Sequence, residues 1–203
     1  TLRDSIMATY ASIKYDMDLA STATGTGGMT LLSTQTASSS ATISFSSGID
    51  STYKEYVFKF YNIHPATDNT EFQVNFRDGS TAYDATKTTT TFNAHHNESD
   101  TATNLLYDTN ADIAQGTGFK LLAGACGNDN DQCINGTLHL FDPSSTTFVK
   151  HFISRVAGFH EADYAFDFFS AGYCNVTAAI DGVQFKFDSG NIDSGTIKMY
   201  GVS

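Results

Sequence analysis

The stretch IDSTYKEYVFKFYNIHPATDN, residues 49–69, decides the fold class of this chain. Its apolar side chains recur at every second position, which is the periodicity of a β-strand. Two sets of residues are predicted to lie on opposite faces: Tyr56, Phe58 and Phe60, and Val57, Tyr61 and Ile63. Because both sets are apolar, the pattern predicts a central strand that is covered on both sides. The dipeptide His64-Pro65 ends the run, since proline lacks the backbone N–H donor.

Further short apolar runs on both sides of this stretch alternate in the same way and are separated by polar turns. They predict strands within residues 29–37, 41–46, 72–76, 86–95, 104–107, 119–123, 137–141, 147–156, 164–173, 180–187 and 197–199. Ser38–Ser40 and Asp78-Gly79 are predicted turns, the second of them a hairpin turn. Residues 111–114 are predicted to form a turn of helix. Roughly nine to eleven short strands with regular turn signals indicate a β-sandwich or a β-barrel.

Length and composition fit one domain preceded by an arm. The 203 residues include 16 Phe and 10 Tyr, enough for a large apolar core without Trp. Residues 23–28 read ATGTGG, a composition typical of a flexible connector. We therefore predict that residues 1–28 form an N-terminal arm with a Gly-rich linker and that residues 29–203 form the β domain.

The charge and the cysteines exclude several classes of protein. The net charge of −11, with 22 acidic and 11 basic residues, argues against binding to a nucleic-acid backbone. No apolar run approaches the roughly 18 residues of a membrane helix, and no signal-peptide pattern is present. An odd number of cysteines favours free thiols, although a bridge between Cys126 and Cys133 stays open beside free Cys174.

The histidines are candidate metal ligands. The chain has six, namely His64, His95, His96, His139, His151 and His160. His95 and His96 stand near Glu98, but neighbouring residues of a strand point to opposite faces and do not easily share an ion. His139 and His151 are a second candidate pair, which could face each other across a hairpin. Without a recognised ligand spacing, we expect no metal.

Two acidic segments have oxygen ligands at alternate positions, as calcium loops do. They are Asp108-x-Asn110-x-Asp112 and Asp129-Asn130-Asp131. Both lack the glycine and the closing glutamate of an EF-hand loop. Asp and Asn also accept hydrogen bonds from turn backbones, which explains both segments without an ion. We therefore expect no cofactor, while calcium binding stays an open alternative.

No catalytic motif stands out. The nucleophile elbow GxSxG is absent, and Glu161 and Asp163 are a carboxylate pair without other support. Exposed tyrosines beside carboxamides are typical of sugar-binding surfaces, and Tyr83, Tyr107 and Tyr173 lie near polar loops. Those three rings are either glycan contacts or partly buried core and interface rings. We predict no catalytic residues and no enzymatic activity.

Several whole segments resemble a family of structural proteins of tailed phages, especially marine ones. They are residues 49–69, Thr86–Thr90, Gly127–Asp131, GTLHLFDPSSTTFVKHF at 136–152, and Ser189–Gly195. The resemblance runs from about residue 7 to the end of the chain. It implies a virion component with a jelly-roll-like antiparallel β-sandwich, displayed on the particle, and it supplies no catalytic residues.

The resemblance and the residues together predict a non-enzymatic virion protein that decorates or cements the capsid. Its expected partners are the major capsid protein or other virion proteins, with a homotrimer as the expected assembly. The expected location is the exterior of the virion after assembly in the bacterial cytoplasm. The alternative is a tail-fibre or adhesin-like domain that binds host surface glycan.

Overall fold

The computed structural model describes residues 28–203, and the predicted arm at residues 1–28 lies outside the described residues except for Gly28. The described part is all-β apart from one 3₁₀ helix at Thr109–Ala111. The strands are β1 Met29–Thr36, β2 Ile43–Phe45, β3 Glu55–Pro65, β4 Thr70–Arg77, β5 Lys87–Asn97, β6 Thr103–Tyr107, β7 Lys120–Cys126, β8 Ile134–Phe141, β9 Lys150–His160, β10 Tyr164–Cys174, β11 Gly182–Phe187 and β12 Ile192–Val202.

All strand pairs are antiparallel, and the strands form two layers. The large sheet has the order β1-β12-β3-β8-β9-β10-β5-β6, and the small sheet has the order β7-β4-β11-β2. One pair, Cys126 with His160, joins β7 to the end of β9 and so connects the layers at a corner. This arrangement confirms the predicted all-β fold with a jelly-roll-like antiparallel sandwich.

The core lies between the two sheets and is rich in Phe. Tyr56, Phe58 and Phe60 of β3 are at most 2% exposed, as the alternation predicts. They meet the inward residues of the small sheet, among them Phe72 of β4 and Phe185 of β11. Burial of each such ring contributes roughly 1.5–3 kcal/mol to folding.

The prediction that β3 is covered on both sides is wrong. On the second face Val57 is buried but Tyr61 is 40% exposed, so the described chain does not cover that face along its whole length. Ile63 was also placed on the wrong face. Asn62 has a φ of 50°, and the pairing with β8 shifts there, so that a bulge turns Ile63 into the core.

Three local predictions also differ from the structure. Asp78-Gly79 does not close a hairpin, since β4 pairs with β7 and β11 and the chain crosses to the large sheet before β5. The helical turn forms at Thr109–Ala111, slightly before the predicted residues. Phe148 precedes β9 and is 71% exposed, whereas the pattern placed it within a strand.

Replacing Phe58 with Ala should lower the free energy of unfolding by about 3–5 kcal/mol, because the ring is fully buried and leaves a cavity. Ile153→Ala is the matched control, since Ile153 is 48% exposed on the uncovered side of the large sheet. Urea denaturation measures both. Equal losses for the two variants would contradict the assignment of the core.

Candidate functional site

We name the uncovered side of the large sheet the outer face. Most of the exposed large apolar side chains of the described residues lie on it. Eight large hydrophobic residues are exposed within residues 28–203. All except Phe148 lie on the outer face by strand register: Met29, Leu31, Tyr61, Phe92, Leu105, Tyr107 and Ile153. The opposite surface, on the small sheet, is instead polar, with outward residues Glu71, Gln73, Arg77, Gln184 and Lys186.

A groove of about 410 Å³ crosses β5, β10, β9 and β8 on the outer face. Its most regular feature is the stack of Phe92 on Phe169, with ring centroids 4.8 Å apart and planes 5° from parallel. The guanidinium of Arg155 lies 4.8 Å from the centroid of Phe169. Ile153 continues the apolar lining on the neighbouring row of the sheet.

The titratable side chains at the groove have hydrogen-bond partners. Arg155 donates to both carboxylate oxygens of Asp167, and the shortest N–O distance is 2.6 Å. The hydrogen bonds from Arg155 to Asp167 raise the pKa of the guanidinium, which therefore stays charged. At the other end, His139 Nδ1 lies 2.5 Å from Glu55 Oε1. The apolar surface between these pairs is therefore free to contact a partner.

The pairing of His139 with Glu55 has one feature of a catalytic site but lacks the others. An imidazole oriented by a carboxylate is the usual base in nucleophilic catalysis, which also needs a hydroxyl within reach. The hydroxyl of Ser154 in the groove lining instead donates to the carbonyl of Thr137 at 3.0 Å. Ser170 shares a hydrogen bond with Thr91 on the inner side. Neither serine contacts His139, so these residues do not form a catalytic triad.

The histidines expected as possible ligands are separated by the fold. His95 and His96 point to opposite faces of β5, and His96 contacts Asp100 at 3.0 Å. His139 pairs with Ile153 of β9 rather than with His151, so the predicted pair across the hairpin does not form. Within the described residues no cluster of three or more His, Cys, Asp or Glu side chains is placed to hold a metal.

The acidic segments lie in turns that are held by local hydrogen bonds. Asp108 caps the 3₁₀ helix by accepting from the N–H of Asn110 at 3.2 Å. The carbonyl of Asp129 accepts from the N–H of Gln132 at 2.9 Å in a turn. Glu161 and Asp163 lie in the turn between β9 and β10 and not on one strand.

The three tyrosines proposed for glycan contact do not converge. Tyr83 packs against the guanidinium of Arg77, Tyr107 donates to Asp112, and Tyr173 lies against His151. Only Tyr173 borders a cavity on the outer face. Sequence reasoning missed the stacked Phe92 and Phe169, because the cross-strand pairing of β5 with β10 is not visible in the pattern of either strand.

Three lysines are fully buried, which the sequence did not predict. Each donates to a loop carbonyl at 2.6–2.8 Å: Lys87 to Gly118, Lys120 to Ala111 and Lys150 to Val176. Burial lowers the pKa of Lys87 and of Lys120 to about 8. These lysines therefore hold loops against the large sheet.

The described chain contains three free cysteines, Cys126, Cys133 and Cys174. Cys174 pairs in register with Lys87 on one side and Lys150 on the other. Burial nevertheless raises the pKa of its thiol to about 12, so it is protonated near neutral pH and is a poor nucleophile. Lys87, Cys174 and Lys150, which lie side by side on three neighbouring strands, therefore have a structural role.

Comparisons with known proteins do not assign the chain to a family. No family model matches, and no curated protein matches. Among solved structures, the chain is similar to the Bacteroides ovatus mixed linkage glucan PUL GH16 in complex with the G4G4G3G product. That likeness has a TM-score of 0.21 and 12% identity over 86% of this chain and 82% of the other, values too low to indicate a shared fold. Within residues 28–203 no helix is long and apolar enough to cross a membrane.

The buried lysines predict that the free energy of unfolding rises between about pH 8 and pH 9. Lys87 and Lys120 have a pKa of about 8 when folded, against an ordinary value of 10.5, so the unfolded chain binds more protons in this range. Above about pH 9 the slope should flatten, because buried Cys126 and Cys174 keep protons that the unfolded chain loses.

Urea titrations at several pH values measure this slope. The double variant K87M/K120M is the control. Methionine removes both titrating groups, so the free energy of unfolding of this variant should not rise from pH 8 to pH 9, whatever its absolute value. A wild-type stability that is flat or falling from pH 8 to pH 9 would contradict the assignment.

Proposed function

We propose that this chain is a non-enzymatic structural protein displayed on a tailed-phage particle, where it decorates or cements the capsid. The resemblance of whole segments to phage structural proteins supports this role. The observation that carries the proposal is the outer face, where seven of the eight exposed large hydrophobic residues lie. The proposed partners are the major capsid protein or other virion proteins.

The outer face has the properties of a protein-contacting surface. Monomeric soluble proteins rarely expose large contiguous apolar patches, and patches rimmed by polar residues mark interaction sites. The row Tyr107, Phe92, Phe169 and Arg155 runs across four neighbouring strands at the β6 end of the large sheet. Rigid aromatic and arginine side chains are the residue types that dominate binding energy at interfaces.

The charge of the molecule is consistent with docking through this face. The chain has a net charge of −11, yet the outer face also carries Lys59 and Lys198, which lie opposite each other in register. Each stacks on a tyrosine ring of the same face, at 5.4 Å and 5.5 Å respectively. The outer face therefore presents basic groups despite the acidic net charge of the molecule, and these groups can pair with acidic side chains of a protein partner.

If the outer face contacts the virion, the double variant F92D/I153D should lose attachment to particles. Both side chains are about half exposed, so the fold should persist, whereas a charge pressed into an apolar contact is costly. We expect at least a tenfold loss, about 1.4 kcal/mol, in co-sedimentation with particles that lack the protein. The matched control is Q184D on the polar surface of the small sheet, which should bind as the wild type does. Equal binding by F92D/I153D and wild type would contradict docking through the outer face.

Imaging of intact particles tests the role itself. Many copies arranged over the shell, with the outer face against the capsid, are the expected result. A few copies at the tail would favour the tail-fibre or adhesin-like alternative. Absence of the protein from the particles, measured by mass spectrometry, would refute both roles. The proposed trimer is tested by light scattering of the purified protein.

A further inference from the structure

A second recess lies on the opposite side of the same strands. It is a cleft of about 310 Å³ between the inner side of β5 and β10 and the strand β7 of the small sheet. We name it the inner cleft. Its polar groups come from four elements and include Asn93, His95, Asp108, Asn110 and His160. Volumes of about 300 Å³ are at the lower end of those that hold small ligands.

The apolar part of the inner cleft is aromatic. Phe166 and Phe168 are 5% and 8% exposed, and their rings meet edge to face with centroids 5.3 Å apart. Leu121 of β7 lies on the other wall. Gly124 also borders the cleft, and a Cβ there would make ordinary van der Waals contact with Leu121 and Phe168, at 3.6 Å and 3.8 Å.

The polar part retains free hydrogen-bonding capacity. Within the described residues His95 and the carboxamide of Asn110 make no hydrogen bond, although the backbone N–H of Asn110 bonds to Asp108. His160 accepts from the N–H of Ala162 through Nδ1, which leaves Nε2 open. The carboxamide N–H of Asn93 reaches Asp108 only at 3.4 Å. Donors and acceptors are thus both present and not fully used.

The charges exclude two classes of ligand. Asp108 borders the cleft, and so does Glu71, although it lies on the outward side of β4, so an anionic ligand would be repelled. A metal ion is not favoured, since no suitable cluster of ligands exists among residues 28–203. Burial lowers the pKa of His160, so its ring is neutral near pH 7. Because Nδ1 accepts from Ala162, the proton of the neutral ring lies on Nε2, which offers one donor to a ligand.

We propose that the inner cleft binds one unit of a neutral saccharide. A sugar ring has an apolar C–H face, which suits Phe166 and Phe168, and hydroxyls that both donate and accept, which suit Asn110 and His95. The inference goes beyond the virion role, because the inner cleft and the outer face use opposite sides of β5. The predicted glycan contacts Tyr83, Tyr107 and Tyr173 do not border this cleft.

Two neighbouring residues of β5 provide a matched test. His95→Ala removes a polar group of the inner cleft, while His96→Ala removes the same side chain from the opposite, exposed face of the strand. Asn110→Ala removes a second cleft group that makes no side-chain hydrogen bond in the described chain. None of the three side chains belongs to the apolar core, so all three variants should fold.

The experiment is an NMR titration of the ¹⁵N-labelled protein with glucose, galactose, N-acetylglucosamine and their oligomers, and with N-acetylneuraminic acid as the anionic probe. We expect saturable shifts at Asn93 and Asn110 with at least one neutral sugar. His95→Ala and Asn110→Ala should each weaken that affinity about tenfold, a loss of one hydrogen bond to a ligand, while His96→Ala should not.

Three results would overturn the inference. They are the absence of saturable shifts with every neutral sugar, shifts confined to residues outside the inner cleft, and preference for the anionic sugar. Particle binding by the His95→Ala variant separates this inference from the virion role. It should equal that of the wild type, because the outer face is unchanged.

Discussion

The packing of Phe185 against the rings of β3 is the contact on which the two-sheet arrangement depends. Phe185 lies 5.6 Å from Phe58, 5.2 Å from Phe60 and 5.9 Å from Phe72, measured between ring centroids. It thereby ties β11 of the small sheet to β3 of the large sheet, with β4 beside it. Aromatic pairs add about 0.5–1.5 kcal/mol each beyond the burial of their area. The layers are held together by this cluster and joined at the corner by one strand pair.

The two sheets differ in size, and the other features of the molecule follow from that difference. The small sheet covers the inner side of β3, β8 and β9. The segment 109–118 instead lies along the edge of β5, where it bonds to the β5 backbone and to the inward side chains of Lys87 and Thr89. The backbone carbonyls of a loop in this position need hydrogen-bond donors. Lys87, Lys120 and the backbone of Thr89 supply them, which explains why charged side chains are buried in an otherwise aromatic interior. Beyond this segment the inner side of β5 is not fully covered, and the inner cleft forms there.

Strand alternation was enough to predict most of the strands, the fold class and the buried set Tyr56, Phe58 and Phe60. It failed where the period of two is interrupted, as at the bulge of Asn62, and where a turn signal such as Asp78-Gly79 starts a crossing between sheets. The inner cleft was beyond sequence reasoning for another reason. Asn93 and His160 are far apart in the chain and come together only because β5, β10 and β9 are neighbours.

The same alternation explains how one strand can serve two surfaces of opposite chemistry. In β5 the outward residue Phe92 is followed by the inward Asn93, and Asn93 and His95 line the inner cleft while Phe92 lines the groove. A shift of the β5 register by one residue would exchange these sets, because strand side chains repeat with a period of two. The pairing of Thr91 with Ser170, and the hydrogen bond between their hydroxyls in the interior, oppose such a shift. The register of β5 against β10 therefore determines both candidate binding surfaces at once.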